Sequence, residues 1–263
     1  MTVGTALSLE VTDGIGRVTF ARPDRGDPID ATFCRELRDA VDALAEASSL
    51  RVVVIRSAGR YFSVGGDVKA FRADRDALSA YVRSATVDVG AAMSRLAALP
   101  APVVVEVRGV AAGGSLALVA IADVAVASAS ATFYGAFTGI GLSPDMGSTY
   151  FVARRVGSRQ ASNLYLLNQT WTADEALARG LVSRVVADDE IGATTESTVA
   201  AFAAGPTAAL ASTKRLLWRS WDHSLETQLE HEAQSVTALA RTDDAWEGMA
   251  AIAERRAPAF HGR

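Results

Sequence analysis

Three loops hold the residue types that could do chemistry. Phe62-Ser63-Val64-Gly65-Gly66-Asp67 follows a β-branched run. Its two adjacent glycines allow a positive φ or the close approach of a ligand to the backbone. The same loop is also an ordinary strand-to-helix connection with Asp67 as the helix cap. Arg108-Gly109-Val110-Ala111-Ala112-Gly113-Gly114-Ser115 precedes the apolar stretch LALVAIA. A helix opening there presents unpaired N–H groups and a partial positive charge, and its glycines leave those donors unobstructed. Such a site suits a phosphate or an oxyanion; tight helix packing is the other use of small residues. No lysine follows the glycines, so the loop is not a P-loop. Gly141-Leu142-Ser143-Pro144-Asp145-Met146-Gly147 places a carboxylate in apolar surroundings. Asp145 is either the cap of a helix beginning at Met146 or an acid/base group. A helix N-terminus favours its charged form, whereas burial raises its pKa.

The elements that must position these loops alternate strand and helix. LSLEV and RVTFA flank Asp13-Gly14 as a β-hairpin. Asp30 caps a helix whose apolar face is Phe33, Leu37, Val41 and Leu44. RVVVIR, VVVEV and DVAVAS read as buried strands, and residues 68–98 as one helix. The stretch after Phe133 reads as irregular. Thr172-Ala-Asp-Glu175 is a capping box with Gly180 as the stop, and VSRVV is a last short strand. From about residue 189 to 252 the pattern is helical, interrupted at Gly205-Pro206. The whole predicts an α/β core with a C-terminal helical region.

Composition narrows the chemistry. The 263 residues include one cysteine, Cys34, which permits no internal disulfide and no cysteine-rich zinc site. The three histidines, His223, His231 and His261, leave the first 222 residues without one. No His-x-x-x-His metal pair exists, so no metal site is expected. A net charge of −4 with no basic run argues against nucleic acid. The most apolar stretch, residues 103–127, is free of charge only over 109–122, too short to span a bilayer. The N-terminus lacks a signal-peptide pattern, and a cytoplasmic protein is expected.

Taken together, the loops resemble the crotonase (enoyl-CoA hydratase/isomerase) superfamily over nearly the whole chain. Arg22-Pro23 through Pro28-Ile29-Asp30 is similar to its early Arg-Pro segment, with Asp27 where Asn is usual. Phe62–Asp67, Gly109–Ser115 and Gly141–Gly147 are similar to its Phe-Ser-Ala-Gly-Ala-Asp, Asn-Gly…Gly-Gly-Gly and Gly-Leu-x-Pro-x-x-Gly segments. Thr172-Ala-Asp-Glu-Ala and the closing Glu254-Arg-Arg-Ala-Pro-Ala-Phe-His-Gly are also family-like.

The resemblance implies a spiral of βαβ repeats with two nearly perpendicular sheets. Residues 1–200 would form the core, and 201–263 a helical trimerisation region. It implies an acyl-CoA thioester as partner and a homotrimer or a hexamer built as a dimer of trimers. No cofactor is implied beyond the coenzyme A that the substrate carries. The thioester carbonyl would lie between the N–H groups of Val64 and Gly114. Arg25, Val64, Gly65, Gly66, Asp67 and Val68 would line the coenzyme A region. Tyr134, Phe137 and Ala117 would line the acyl pocket, with help from residues 70–100.

Departures from the family pattern bear on the reaction. The two hydratase glutamates would stand at 117 and 137, where this chain has Ala117 and Phe137. Neither transfers a proton, so two-glutamate hydration is not expected. Asp145 matches the catalytic aspartate of isomerase and dehalogenase branches, and one carboxylate suffices to shift a double bond. Aryl-CoA dehalogenation, an atypical hydratase and a non-catalytic CoA-thioester binder are the alternatives. A serine hydrolase using Ser115 with His223 or His231 is a further one.

Overall fold

The computed structural model describes residues 2–262. The hairpin forms where its turn chemistry allows. Asp13 (φ 51°) and Gly14 (φ 77°) adopt the left-handed geometry of a two-residue turn. Around it β1 (Thr2–Val3), β2 (Leu7–Thr12) and β3 (Ile15–Phe20) pair antiparallel. The Asp30 carboxylate accepts the Phe33 N–H and opens α1 (Ala31–Glu46), whose expected apolar face is fully buried. β4 (Val52–Ser57) then runs parallel to β3.

The expected helix over 68–98 is divided. α2 (Val68–Phe71) ends after one turn, and α3 (Leu78–Ala98) starts afresh. Between them the Asp74 carboxylate accepts the N–H groups of Asp76 and Ala77. That local turn competes with helix continuation. β5 (Val103–Val107) follows, then a strand absent from the sequence reading, β6 (Val110–Ala112), and α4 (Ser115–Ile121). β7 (Val124–Ser128) is as expected. A second unexpected strand, β8 (Thr132–Tyr134), runs into the stretch read as irregular, which contains one 3-10 turn, Thr138–Ile140. α5 (Ser148–Leu166) is kinked at Gly157, whose φ of 79° and ψ of 155° are not helical. β9 (Thr170–Thr172), α6 (Ala173–Ala178) with its capping box, and β10 (Arg184–Val186) complete this part.

The last third is helical, as expected, with more breaks than Gly205-Pro206. It comprises α7 (Ile191–Ala203), α8 (Thr207–Arg219), α9 (Leu225–Leu239) and α10 (Asp243–Glu254). Ser224 and Thr242 cap the last two through their hydroxyls.

The strands form two sheets. One has the order β1-β2-β3-β4-β5-β7-β10, and the other β6-β8-β9. In the larger sheet β3, β4, β5, β7 and β10 are successively parallel. This explains the unbroken apolar runs, since these strands are covered on both faces. α1, α3 and α4 share the main core on one face. On the other, Val199 of α7 packs on Val52, Val54 and Val104. The Lys214 ammonium is buried and reaches the Ala101 carbonyl and the Asp123 carboxylate, both at 3.1 Å. It ties α8 to the sheet. No helix among the described residues is long and apolar enough to cross a membrane.

Candidate active site

The site is built where three distant backbone segments are stitched together. The first is the loop 22–30. Arg22 fixes it, donating to both Asp30 carboxylate oxygens (2.6 and 3.1 Å) and to the Pro28 carbonyl (2.7 Å). Burial pulls the Asp30 carboxyl upward, but Arg22 and the Phe33 N–H outweigh it and hold it below the usual range. Asp27 is buried, with its carboxylate accepting the Arg22 N–H and the Ser57 hydroxyl.

The second segment, 62–67, lies between the first and the third. Phe62 and Ser63 donate to Arg108 and Val110, and Ala112 donates back to Ser63. On the other side Ile29 donates to Gly65, and Asp67 donates to Ile29. The Val64 N–H donates to the Gly26 carbonyl at 2.9 Å. That bond corrects the expected site: the Val64 amide is engaged and is not a donor for a thioester oxygen. Gly65 (φ 84°) breaks the strand alternation after Val64. The Gly66 N–H then has no acceptor among the described residues. A Cβ on Gly65 would come within 2.9 Å of the Ala112 carbonyl oxygen, so the close pairing of the two loops requires glycine.

The third segment follows β6. The Gly113 N–H donates to the Tyr134 carbonyl at 3.0 Å, whereas the Gly114 N–H has no acceptor among the described residues. Gly66 and Gly114 both line a cavity of about 420 Å³. Two residues with unengaged amides thus line one cavity, which suits the stabilisation of an oxyanion.

Asp145 stands on the same wall. A Cβ on Gly114 would lie 3.4 Å from Asp145 Oδ1 and 2.4 Å from Met146 Sδ. Asp145 does not cap a helix beginning at Met146. Met146 (φ 54°) and Gly147 (φ 77°) are both left-handed, and α5 opens at Ser148 without a side-chain cap. Only the Asp145 carbonyl takes part, accepting the Ser148 N–H. The carboxylate is left free and forms no ion pair among the described residues. Burial raises its pKa, opposed only by its own backbone N–H. Asp30 is the other cavity carboxylate, and it is already held by Arg22. No histidine lines the cavity.

The remaining expected residues divide. Val64, Gly66, Val68, Tyr134 and Phe137 line the cavity. Ala117 does not: it is wholly buried in the main core, within α4. Arg25, Gly65 and Asp67 stand off the wall. Arg25 pairs with Asp67 at 2.5 Å, and Asp67 also caps α2 through the N–H groups of Lys69 and Ala70. Phe71, Tyr81, Val82, Ala85, Thr86 and Val89 also line the cavity, within the expected 70–100 segment. Ser115 is fully buried, its hydroxyl donating to the Ala112 carbonyl at 2.8 Å, which removes the serine hydrolase reading.

Residues 10–263 match the family model described as enoyl-CoA hydratase/isomerase. The chain belongs to the enoyl-CoA hydratase/isomerase family. It is an acyl-CoA enzyme of the crotonase superfamily. Its relatives carry names for more than one reaction. It is 29% identical to the trans-2-decenoyl-[acyl-carrier-protein] isomerase of Streptococcus mutans, over 96% of this chain and 97% of that one. It is 30% identical to the 1,2-epoxyphenylacetyl-CoA isomerase of Escherichia coli, over 96% and 97%. A crystal structure of the enoyl-CoA hydratase of Mycobacterium smegmatis superposes with a TM-score of 0.89 at 29% identity, covering 97% of this chain and 99% of that one.

Sequence reasoning missed Cys34, although it follows Phe33 on the buried side of α1 and lines the cavity of this family member. Burial, then the negative charge of Asp145, pushes its thiol up to about 12. The thiolate is the reactive form, so Cys34 should be inert at neutral pH. Iodoacetamide at pH 8 is expected to leave the native protein unlabelled by mass spectrometry and to label it once unfolded. Rapid labelling of the folded protein would contradict the burial argument.

Proposed function

We propose that this enzyme shifts a carbon–carbon double bond in an enoyl-CoA thioester, using Asp145 as both base and acid. The observation that carries the reading is the single unengaged carboxylate beside the free Gly114 amide. The thioester oxygen accepts hydrogen bonds from Gly66 and Gly114. Removal of a proton from the substrate carbon then places negative charge on that oxygen, where the two amides stabilise it. Asp145 takes the proton as a carboxylate and returns it at the other end of the conjugated enolate. Protons, charge and bonds are conserved, and no water is consumed. The Arg25–Asp67 pair and the 64–68 segment would meet the coenzyme A portion, Arg25 supplying positive charge for phosphate.

Phe137, on the cavity wall at the position of the second hydratase glutamate, supports an isomerase over a two-glutamate hydratase, and two of the relatives above carry isomerase names. The homotrimer or hexamer implied by the resemblance draws support from exposed apolar side chains on the last two helices, among them Leu229, Val236, Trp246, Met249 and Ile252.

The direct test is to incubate a 3-enoyl-CoA with the enzyme in deuterated water. The conjugated 2-enoyl-CoA is expected to accumulate, with deuterium at the α or γ carbon and no 3-hydroxyacyl-CoA. Hydroxyacyl product from a 2-enoyl-CoA, with the 3-enoyl-CoA left unchanged, would overturn the reading. Tight binding without exchange would identify a non-catalytic thioester binder.

A further inference from the structure

One polar group on the acyl side of the cavity has no part in the proton transfer. β8 sends Phe133 into the core and Tyr134 onto the cavity wall. The Tyr134 carbonyl holds the Gly113 N–H, so this residue lies beside the turn that presents Gly114. The phenol extends toward Gly139, a cavity residue whose Cβ, if it had one, would stand 3.3 Å from the phenol oxygen.

Behind it, Asn168 Nδ2 reaches that oxygen at 2.6 Å. Asn168 follows α5 at φ 51°, a left-handed position that asparagine tolerates. A methyl at 139 would come within 2.4 Å of Asn168 Nδ2, so Gly139 and Asn168 are packed face to face. Asn168 is the phenol's sole partner among the described residues. Whichever way the Asn168 amide faces, the phenol keeps an unfilled hydrogen-bonding position. Much of the lining is apolar, including Ala136, Phe137, Ile140, Leu142, Val82 and Val89, beside the polar Tyr81, Thr86 and Ser143. A plain alkyl chain would cover that position without satisfying it, which disfavours such a chain.

We infer that Tyr134, positioned by Asn168, selects acyl-CoA substrates whose acyl group carries a hydroxyl or carbonyl oxygen. The inference rests on the acyl-CoA reading and names the substrate class of that site.

The test is equilibrium binding by calorimetry, which needs no turnover. Hexanoyl-CoA is compared with its hydroxy and oxo position isomers, substituted beyond the β carbon. At least one oxygenated isomer is expected to bind about tenfold more tightly than hexanoyl-CoA, the scale of one neutral hydrogen bond. In Tyr134→Phe that ratio should collapse to about one, and in Asn168→Ala it should fall in the same direction. A better response to hydroxy than to oxo isomers would show the phenol accepting as well as donating. A wild type without preference for any oxygenated isomer, or a preference that survives in Tyr134→Phe, would overturn the inference alone. Loss of binding by every thioester would overturn the acyl-CoA reading with it. An intact preference without proton exchange would leave this inference standing and remove the proposed reaction.

Discussion

Asp145→Asn is expected to lower kcat for the double-bond shift by a factor of about 10²–10⁴, the usual contribution of a positioned acid/base group. Binding of a saturated acyl-CoA should persist, because Gly66 and Gly114 are backbone donors that the substitution does not touch. The same variant should be the more stable protein at neutral pH. Burial raises the folded pKa of Asp145 above its ordinary value of 3.8. Its contribution to stability is therefore present below the unfolded pKa and is lost as pH rises through the folded one. At pH 7 the charged carboxylate strains the fold, and asparagine relieves that strain; at acidic pH the advantage disappears. Activity runs the other way. The base must be ionised, so the wild-type rate should rise with pH through a midpoint above 3.8. Thermal melts of both proteins at pH 4 and pH 7, together with a pH–rate profile, check both halves. Retained exchange in Asp145→Asn would end the assignment.

Arg22→Ala is expected to cost about 3 kcal/mol, typical of removing one partner from a largely buried ion pair. The Arg22 and Asp30 side chains are only 12% and 15% exposed, so solvent does little to screen them. The loss extends beyond the pair. Without Arg22 the Pro28 carbonyl and the loop that holds Val64, Gly65 and Asp67 lose their fixed geometry, and the Gly66 amide loses its aim. Arg22→Lys should recover only part of the stability, since an ammonium cannot reproduce the fork to Asp30 together with the bond to Pro28. Urea unfolding of the three proteins measures this. A difference between Arg22→Ala and wild type within about 0.5 kcal/mol, the scale of an ordinary surface substitution, would refute it.

Where the determining physics is local, the chain is readable. Asp13-Gly14, the Asp30 cap and the Thr172–Glu175 box each act within four residues, and each forms as read. The Val52–Ser57 strand was equally plain from its β-branched run. β6, β8 and β9 were not: each is three residues long, as β10 is, but none carries an apolar β-branched run like its VSRVV. The break at 72–77 contains no glycine or proline and depends on one aspartate side chain. At the site itself, the order of the motifs identified the loops but not the amides. Val64 and Gly66 differ in orientation because of Gly26 and Ile29, on a loop far away in sequence. Asp145 shows the reverse failure. Its local signal was for capping, and two consecutive left-handed residues after it prevent that role. Its place in a motif puts Ala117 in the pocket, whereas α4 is buried along its whole length and Ala117 packs in the core.

The stitching of the three segments also bears on how the molecule folds. Ser63 Oγ meets the Asp27 carbonyl 36 positions away in sequence, and the second and third segments are similarly far apart. Closing such loops costs chain entropy before any contact repays it, and non-local pairing is slow. No isolated hairpin or helix pair carries the two amides. They come into register through contacts between segments far apart in sequence, so the cavity is expected to form late in folding. A thioester held there stabilises a geometry absent from early intermediates. It should therefore retard unfolding of the whole sheet, with little effect on the rate at which the chain first collapses.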